Sequence, residues 1–392
     1  MFDRVVKWGS IMAMSFEQDF AGWLPCCGVF AFWKGRVAMY GILKSMGIGP
    51  GDEVIVPGYT CVMAVNPIKY LQAKPVYVDI DPVTYNMDAS LIAAGISPRT
   101  KAIIAQHTYG YPCDMAAIME VASRHDIPIV EDCCLALGSK YKGRYCGTFG
   151  VAANFSFQWN KTMTTGLGGL AAVQDEGLAG ALESLRRESL CSPTLRERML
   201  LDIQRGVHNL IVYPRTNALI TTTFRYLVEH KLVIGSSSPG EYEPKASCDF
   251  FKDMGNSQMA SVRRQFWNLE KNIEHRKRMQ RLYEGLLQEC GHSPVRIAHE
   301  MEPVLVRYPV RVRCKPDVLR LASKRGLEIG SWFESPLHPS ETNLGAYDYR
   351  TGSCPEAEKA CGEVVNLPLH HRVSEGTARR TVSFIKNHLL PS

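Results

Sequence analysis

Ile127-Pro-Ile-Val-Glu-Asp-Cys-Cys-Leu-Ala-Leu-Gly138, followed by Asn154-Phe-Ser-Phe-Gln-Trp-Asn-Lys161, is the stretch that decides how this chain folds. Ile127 to Val130 is a short apolar run that reads as a buried strand, and it delivers Glu131 and Asp132 at its carboxyl end. In an open parallel sheet that end is where ligands bind. Asn154 to Phe157 and Gly169 to Val173 read as two further strands, joined by a tight loop that carries Lys161 and the run Thr164-Thr-Gly-Leu-Gly-Gly169.

Upstream the same rhythm repeats. Val37 to Met46 has a helical pattern closed by Gly47, and Val54 to Val56 is a strand stopped by Pro57. Val76 to Ile80 and Ala102 to Ala105 read as strands, while Asp88 and Asp114 are placed to cap helices, the second running from Met115 to His125. Strands alternating with helices predict an α/β protein: a large domain with a mostly parallel central sheet wrapped by helices. Downstream, 185–250 reads as an irregular helical excursion, and Gln258 to Cys290 as one long amphipathic helix with a solvated charged face that includes Arg276. Val304 to Val312, Pro316 to Arg325 and Gly376 to Leu390 then give a strand and two helices of a smaller α+β domain. The expected division is an N-terminal segment 1–33, a large domain 34–270 and a small domain 271–392.

Composition narrows the function. A net charge of +6 without a long Lys/Arg run argues against a nucleic-acid arm and suits an anionic small ligand. The thirteen cysteines are scattered, include the adjacent pairs Cys26-Cys27 and Cys133-Cys134, and have no C-x-x-C spacing. That pattern predicts reduced thiols, a cytoplasmic protein and no metal site. Charges before Phe20 argue against a secretory signal, and Ala21 to Trp33 is too short for a bilayer span. A membrane-surface role for Val207 to Ile234 is disfavoured, because charges and Pro214 interrupt the apolar stripe.

Lys161 between a strand and a Gly-rich loop, with Asp132 at a neighbouring strand end, is a pair suited to pyridoxal 5'-phosphate. That cofactor needs a lysine for a Schiff base, a carboxylate against its ring nitrogen, a phosphate cradle and a stacking group. Taken singly, a loop Lys is ordinarily surface and an Asp after a strand ordinarily a cap.

The surrounding residues carry a resemblance. Val130 to Gly138, Tyr141-Lys-Gly-Arg144, Gly147-Thr-Phe-Gly150 and Asn154 to Lys161 with Gly168-Gly169 are similar to the DegT/StrS-type sugar aminotransferases of fold type I. The likeness extends through Gly51-Asp-Glu-Val-Ile-Val-Pro57, Pro75-Val-Tyr-Val-Asp-Ile-Asp81 and His107-Thr-Tyr-Gly110, and thins to Pro336-Leu-His338 and Leu367-Pro-Leu369. It implies that Lys161 is the Schiff-base lysine, Asp132 the ring-nitrogen carboxylate and Ser156 a phosphate ligand. Gly35 and Arg36 fall at a helix N-terminus suited to phosphate, where the family has Gly-Thr. Arg36 either pairs with the phosphate or points outward.

Other departures stand out. Leu135 replaces a Gln that would hydrogen-bond the cofactor, Cys61 follows Thr60 where an aromatic often stacks, and Phe251 and Asp253 lie near a position that in the family reaches the partner subunit's phosphate site. Lys245 and Lys252 are candidate substitutes there. His107 either assists proton transfer or is a structural histidine, and Tyr109 and Trp159 either line the pocket or pack the core. The implied activity is transamination from an amino donor, glutamate by analogy, to a keto-sugar attached to a nucleotide, in sugar, glycan or natural-product biosynthesis, by a homodimer. The alternatives are a sugar dehydratase of the same fold, against which Lys161 counts because those relatives carry His there, and a non-catalytic regulatory or binding homologue.

Overall fold

A computed structural model describes residues 15–211, 233–235, 239–293, 295 and 297–391. Seven strands build the central sheet: β1 (Gly28–Phe32), β2 (Glu53–Pro57), β3 (Lys74–Val78), β4 (Thr100–Gln106), β5 (Ile129–Asp132), β6 (Ala152–Ser156) and β7 (Gly169–Val173). Their order across the sheet is β1-β7-β6-β5-β4-β2-β3. From β6 to β3 all neighbours run parallel, and β7 and β1 complete the edge antiparallel. The all-buried patterns of β2 and β7 are what continuous apolar runs produce when helices cover both faces. The expected α/β class and mostly parallel sheet are therefore the ones observed.

The residues set apart as 1–33 contribute to this body: Phe16–Trp23 is a helix with a Ser15 capping box, and β1 pairs with β7 along its whole length. Helix α1 here denotes Gly35–Ser45, which follows β1 directly. Gly169 allows this helix to begin on top of β7, since a Cβ at 169 would lie 2.3 Å from the Lys34 carbonyl oxygen and 2.4 Å from the Gly35 nitrogen. The Asp88 and Asp114 caps form, each accepting a backbone N–H two or three residues on.

Two expectations need correction. Gln258 to Cys290 is two helices, α2 (Asn256–Phe266) and α3 (Leu269–Glu289), which break at Trp267-Asn268. Arg276 is not on a solvated face: it is 2% exposed, and its guanidinium lies against the carbonyls of Leu305 and Val306. The excursion after β7 contains the helices Glu176–Ser189 and Leu195–Ile211, whereas the stretch Val207 to Ile234 falls largely at 212–232, outside the described residues. Among the described residues, no helix is long and apolar enough to cross a membrane.

Beyond α3, the strands Arg307–Arg311 and Val364–Pro368 pair antiparallel, flanked by helices Lys315–Lys324, Pro355–Glu363 and Glu375–Ile385. Leu337–His338 returns to the large body and adds parallel to Thr60–Cys61. One apolar cluster therefore joins Tyr59, Val62, Tyr109 and Leu135 of the large domain to Tyr283, Tyr308, Leu337 and Leu367.

Candidate active site

β5 and β6 run side by side, with Asp132 opposite Asn154, so the carboxylate of β5 and the loop that leaves β6 emerge together at the carboxyl edge of the sheet. Asp132 is 6% exposed, and its Oδ1 accepts the Cys134 N–H at 3.0 Å, which fixes the carboxylate at the strand end. Lys161 sits in the loop between Ser156 and Gly169, which face each other across the β6/β7 pair. Lys161 Nζ lies 5.2 Å from the centre of the Trp332 ring. Cys61 completes this side. Burial pushes its thiol up; Lys161 and Arg36 act on it in the opposite sense, and Asp132 acts with the burial.

The start of α1 forms the opposite wall. A Cβ at Gly35 would lie 3.1 Å from the Ser156 Cβ and 3.4 Å from Cys134 Sγ, so glycine keeps the helix N-terminus open beside the Ser156 hydroxyl. Lys34 caps α1 through its backbone, with no side-chain cap bond. A helix start of this kind presents backbone amides and the positive end of the dipole to an anion. Arg36 does not point outward. It is 7% exposed, with Nη2 3.1 Å from Glu241 Oε1 and Nη1 against Met63 Sδ, and Lys34 Nζ reaches the same Glu241 oxygen at 2.9 Å.

The chemistry of these groups fits pyridoxal phosphate: an amine, a fixed carboxylate, and a helix N-terminus with a hydroxyl and two cations. Leu135 is 6% exposed and belongs to the apolar cluster against which Cys61 and Trp332 also pack. Phe251 packs on Phe32 and Tyr40, Asp253 faces Arg186 at 3.5 Å, and Lys252 Nζ donates to Glu197 at 2.7 Å, so these side chains are engaged within the chain.

His107 is corrected by its surroundings. It is wholly buried, its Nδ1 accepts the Cys113 N–H at 2.9 Å, and its Nε2 faces Glu131 Oε2 at 3.0 Å. Nδ1 is therefore unprotonated and Nε2 carries the proton, so both nitrogens are engaged and neither serves proton transfer at Lys161. Cys133 also approaches this pair, but a cation there would have to displace the Nε2 proton and compete with the three backbone N–H groups, of Gly147, Phe149 and Gly150, that bind Glu131. Tyr109 is core, its hydroxyl 2.8 Å from that of Tyr59, and Trp159 lies 4.5 Å from the His208 ring at the edge of the Lys161 loop.

Several contributors escaped the sequence reading. Gln258 Nε2 donates to the Leu167 carbonyl at 2.6 Å, Gln265 holds both Thr164 N (2.9 Å) and Thr164 O (2.6 Å), and Asn272 Nδ2 donates to the Thr162 carbonyl at 2.7 Å. These amides recur every seventh residue, which puts Gln258 and Gln265 on one face of α2, and Asn272 follows from α3 after the break. Trp332 and Lys34 gave no local signal.

The chain matches the model of the DegT/DnrJ/EryC1/StrS aminotransferase family over residues 8–203 and 235–386. It is 45% identical over 177 residues to GDP-perosamine synthase of Caulobacter vibrioides, a match that covers 45% of this chain and 48%, about half, of that protein's length. It is 30% identical over 365 residues to the pleiotropic regulatory protein of Geobacillus stearothermophilus, covering 92% of this chain and 84% of that protein. Its fold superposes on DesV of S. venezuelae with a TM-score of 0.73 at 26% identity, covering 95% of this chain and 87% of that one. With the alternation of strand and helix resolved into this seven-stranded sheet, and the match covering most of its length, the chain belongs to the DegT/DnrJ/EryC1/StrS aminotransferase family and has the fold type I architecture.

Proposed function

We propose that the chain is a pyridoxal-phosphate aminotransferase that takes an amino group from glutamate and delivers it to a keto-sugar linked to a nucleotide, working as a homodimer in the cytoplasm. The observation that carries this reading is the convergence of Lys161, Asp132 and the start of α1 at one edge of the sheet. Family membership implies the cofactor, and the name of the C. vibrioides relative supports a nucleotide-sugar acceptor. The thirteen free thiols support a reducing compartment.

Each residue has a defined task. Asp132, held by the Cys134 N–H, would hold a proton on the ring nitrogen by a charge-assisted hydrogen bond. Ser156, Gly35 and the dipole of α1 would bind the phosphate, and Arg36 would add charge beside them. When bound, the cofactor supplies an electron sink for the carbon that bears the nitrogen. Lys161 Nζ would hold the cofactor through its carbonyl carbon, with loss of water, and when free would take and return the proton at the substrate carbon.

Borohydride reduction of the cofactor-loaded protein followed by peptide mapping should place the pyridoxyl group on Lys161, and glutamate should bleach the visible band before reduction. Asp132→Asn should slow that bleaching by orders of magnitude while the far-ultraviolet circular dichroism stays unchanged. Labelling of a different lysine, or a wild-type rate in Asp132→Asn, would overturn the reading. The name of the G. stearothermophilus relative favours a second one, a regulatory protein on the same fold. It predicts cofactor binding without bleaching by any amino donor.

A further inference from the structure

The small-domain side of Lys161 carries a concentration of cations that the proposed chemistry has not used. Arg276 on α3 is buried, yet the groups its guanidinium meets are neutral: Nε donates to Asn272 Oδ1 at 2.9 Å, and Nη1 to the carbonyls of Leu305 (3.2 Å) and Val306 (3.0 Å). Asn272 in turn donates to the carbonyl of Thr162, so Arg276 is one side chain away from the residue after Lys161. Arg307 opens the strand Arg307–Arg311 and is 12% exposed at its side chain. Its guanidinium lies 5.1 Å from the centre of the Trp332 ring, the same ring that Lys161 Nζ approaches at 5.2 Å.

The carboxylate set against these groups is Glu328, and it is already shared: His370 Nε2 lies 3.0 Å from Oε2 while Arg307 Nη1 is 3.9 Å from Oε1. Arg372 and His371 follow His370 at the rim, and Arg372 acts on both Glu328 and His371. Burial, with the neighbouring Arg372, His370 and Arg276 acting in the same sense, holds the His371 imidazole below the ordinary histidine range. Burial likewise pushes Arg276 down to about 10, with Arg307 adding to it. Buried charge is costly where it is not answered by opposite charge, and the planar fork of arginine suits an oxyanion.

We propose that Arg307, beside the Trp332 ring that Lys161 also approaches and with the buried Arg276 adding its charge, forms an oxyanion subsite which holds the phosphoryl group of the acceptor or the carboxylate of the amino donor while the reacting carbon meets Lys161. The identity of the two substrates rests on the aminotransferase reading, but the binding of an anion does not. Inorganic pyrophosphate stands in for the first source and glutamate for the second.

Calorimetric titration of the cofactor-loaded full chain with pyrophosphate, and the glutamate dependence of the visible band, should be compared in wild type, Arg307→Gln, Arg307→Lys and Glu328→Gln. Arg307→Gln should weaken one of the two ligands by about tenfold or more, Arg307→Lys should weaken it less, and Glu328→Gln should tighten it, an effect that a purely structural role would not give. Loss confined to pyrophosphate assigns the subsite to the acceptor, loss confined to glutamate assigns it to the donor, and loss of both makes it shared. No change in either ligand in the folded Arg307 variants overturns the subsite. Bleaching by glutamate with Lys161 labelled, but no effect at Arg307, leaves the aminotransferase standing and removes only the subsite. Arg307-dependent binding of pyrophosphate without bleaching does the reverse.

Discussion

Glu131 is a carboxylate with no exposure, and it survives in the core because three backbone N–H groups and His107 surround it at 2.6–3.0 Å. His107→Gln removes the imidazole that joins Glu131 to the Cys113 N–H and should cost about 1–3 kcal/mol of stability, the range for leaving buried groups unpaired. Denaturant titration should show that loss while the rate of bleaching by glutamate, per folded molecule, is unchanged; a slowed reaction at full stability would return His107 to the chemistry. Lys34 gives a test by pH. Burial pushes it down to about 8, Arg36 acting in the same sense and Glu241 against. Above pH 8 the folded chain releases this proton while the unfolded one keeps it up to its ordinary range near 10.5. The unfolded state then binds more protons, so this residue's contribution to stability rises with pH across that window. Relative to Lys34→Met, the wild type should gain stability in urea titrations between about pH 7.5 and about pH 9.5. A falling difference would show that the Glu241 pair outweighs burial. Asp132 and Lys161 were legible because each follows a recognisable strand, whereas the engagement of His107 depends on Cys113 and Gly147 arriving from elsewhere in the chain, which no local spacing reveals.

The loop from Phe157 to Gly168 buries Phe157, Met163 and Leu167 in apolar clusters, and the amides of Gln258 and Gln265 on α2 and Asn272 on α3 fasten its backbone. Gln265 is the most exacting of the three, since it satisfies both the N–H and the carbonyl of Thr164. Gln265→Leu fills similar space without polar atoms, leaves that peptide unpaired and should cost about 1–3 kcal/mol, most of it local to the loop. Hydrogen exchange should then accelerate across Thr162 to Gly168 while β5 and β6 keep their protection; uniform acceleration would mean that Gln265 supports the fold generally. The strands were readable because their runs are short, apolar and bounded by Gly, Pro or Asp. The break between α2 and α3 was not, because the amphipathic pattern continues through Trp267-Asn268 and the residues there include no Gly or Pro to mark it.

At the scale of the whole molecule, a division near residue 270 describes how the chain is ordered, but it does not separate two cores. Tyr59 links them directly: its hydroxyl meets that of Tyr109 at 2.8 Å and accepts the Phe333 N–H at 3.1 Å. Thr60 N–H donates to the Pro336 carbonyl at 2.9 Å, and Leu337, with no exposure, pairs beside Thr60 at the edge of the active site. The sequence showed Pro336-Leu-His338 as a thinning motif, but that it returns to lie beside Cys61 is a tertiary fact with no local signature. If the two parts share this cluster, they lose it together, and unfolding should be a single transition rather than two. Leu337→Ala tests this from the small-domain side. Truncating a fully buried leucine should cost about 2–5 kcal/mol. The loss should lower the unfolding midpoint equally for a probe on the small domain, such as Trp332 fluorescence, and for one on the large domain, such as hydrogen exchange in β4. A midpoint that falls for Trp332 while β4 is unaffected would show that the small domain unfolds on its own, and that the cluster around Tyr59 is a contact between two cores instead of one continuous core.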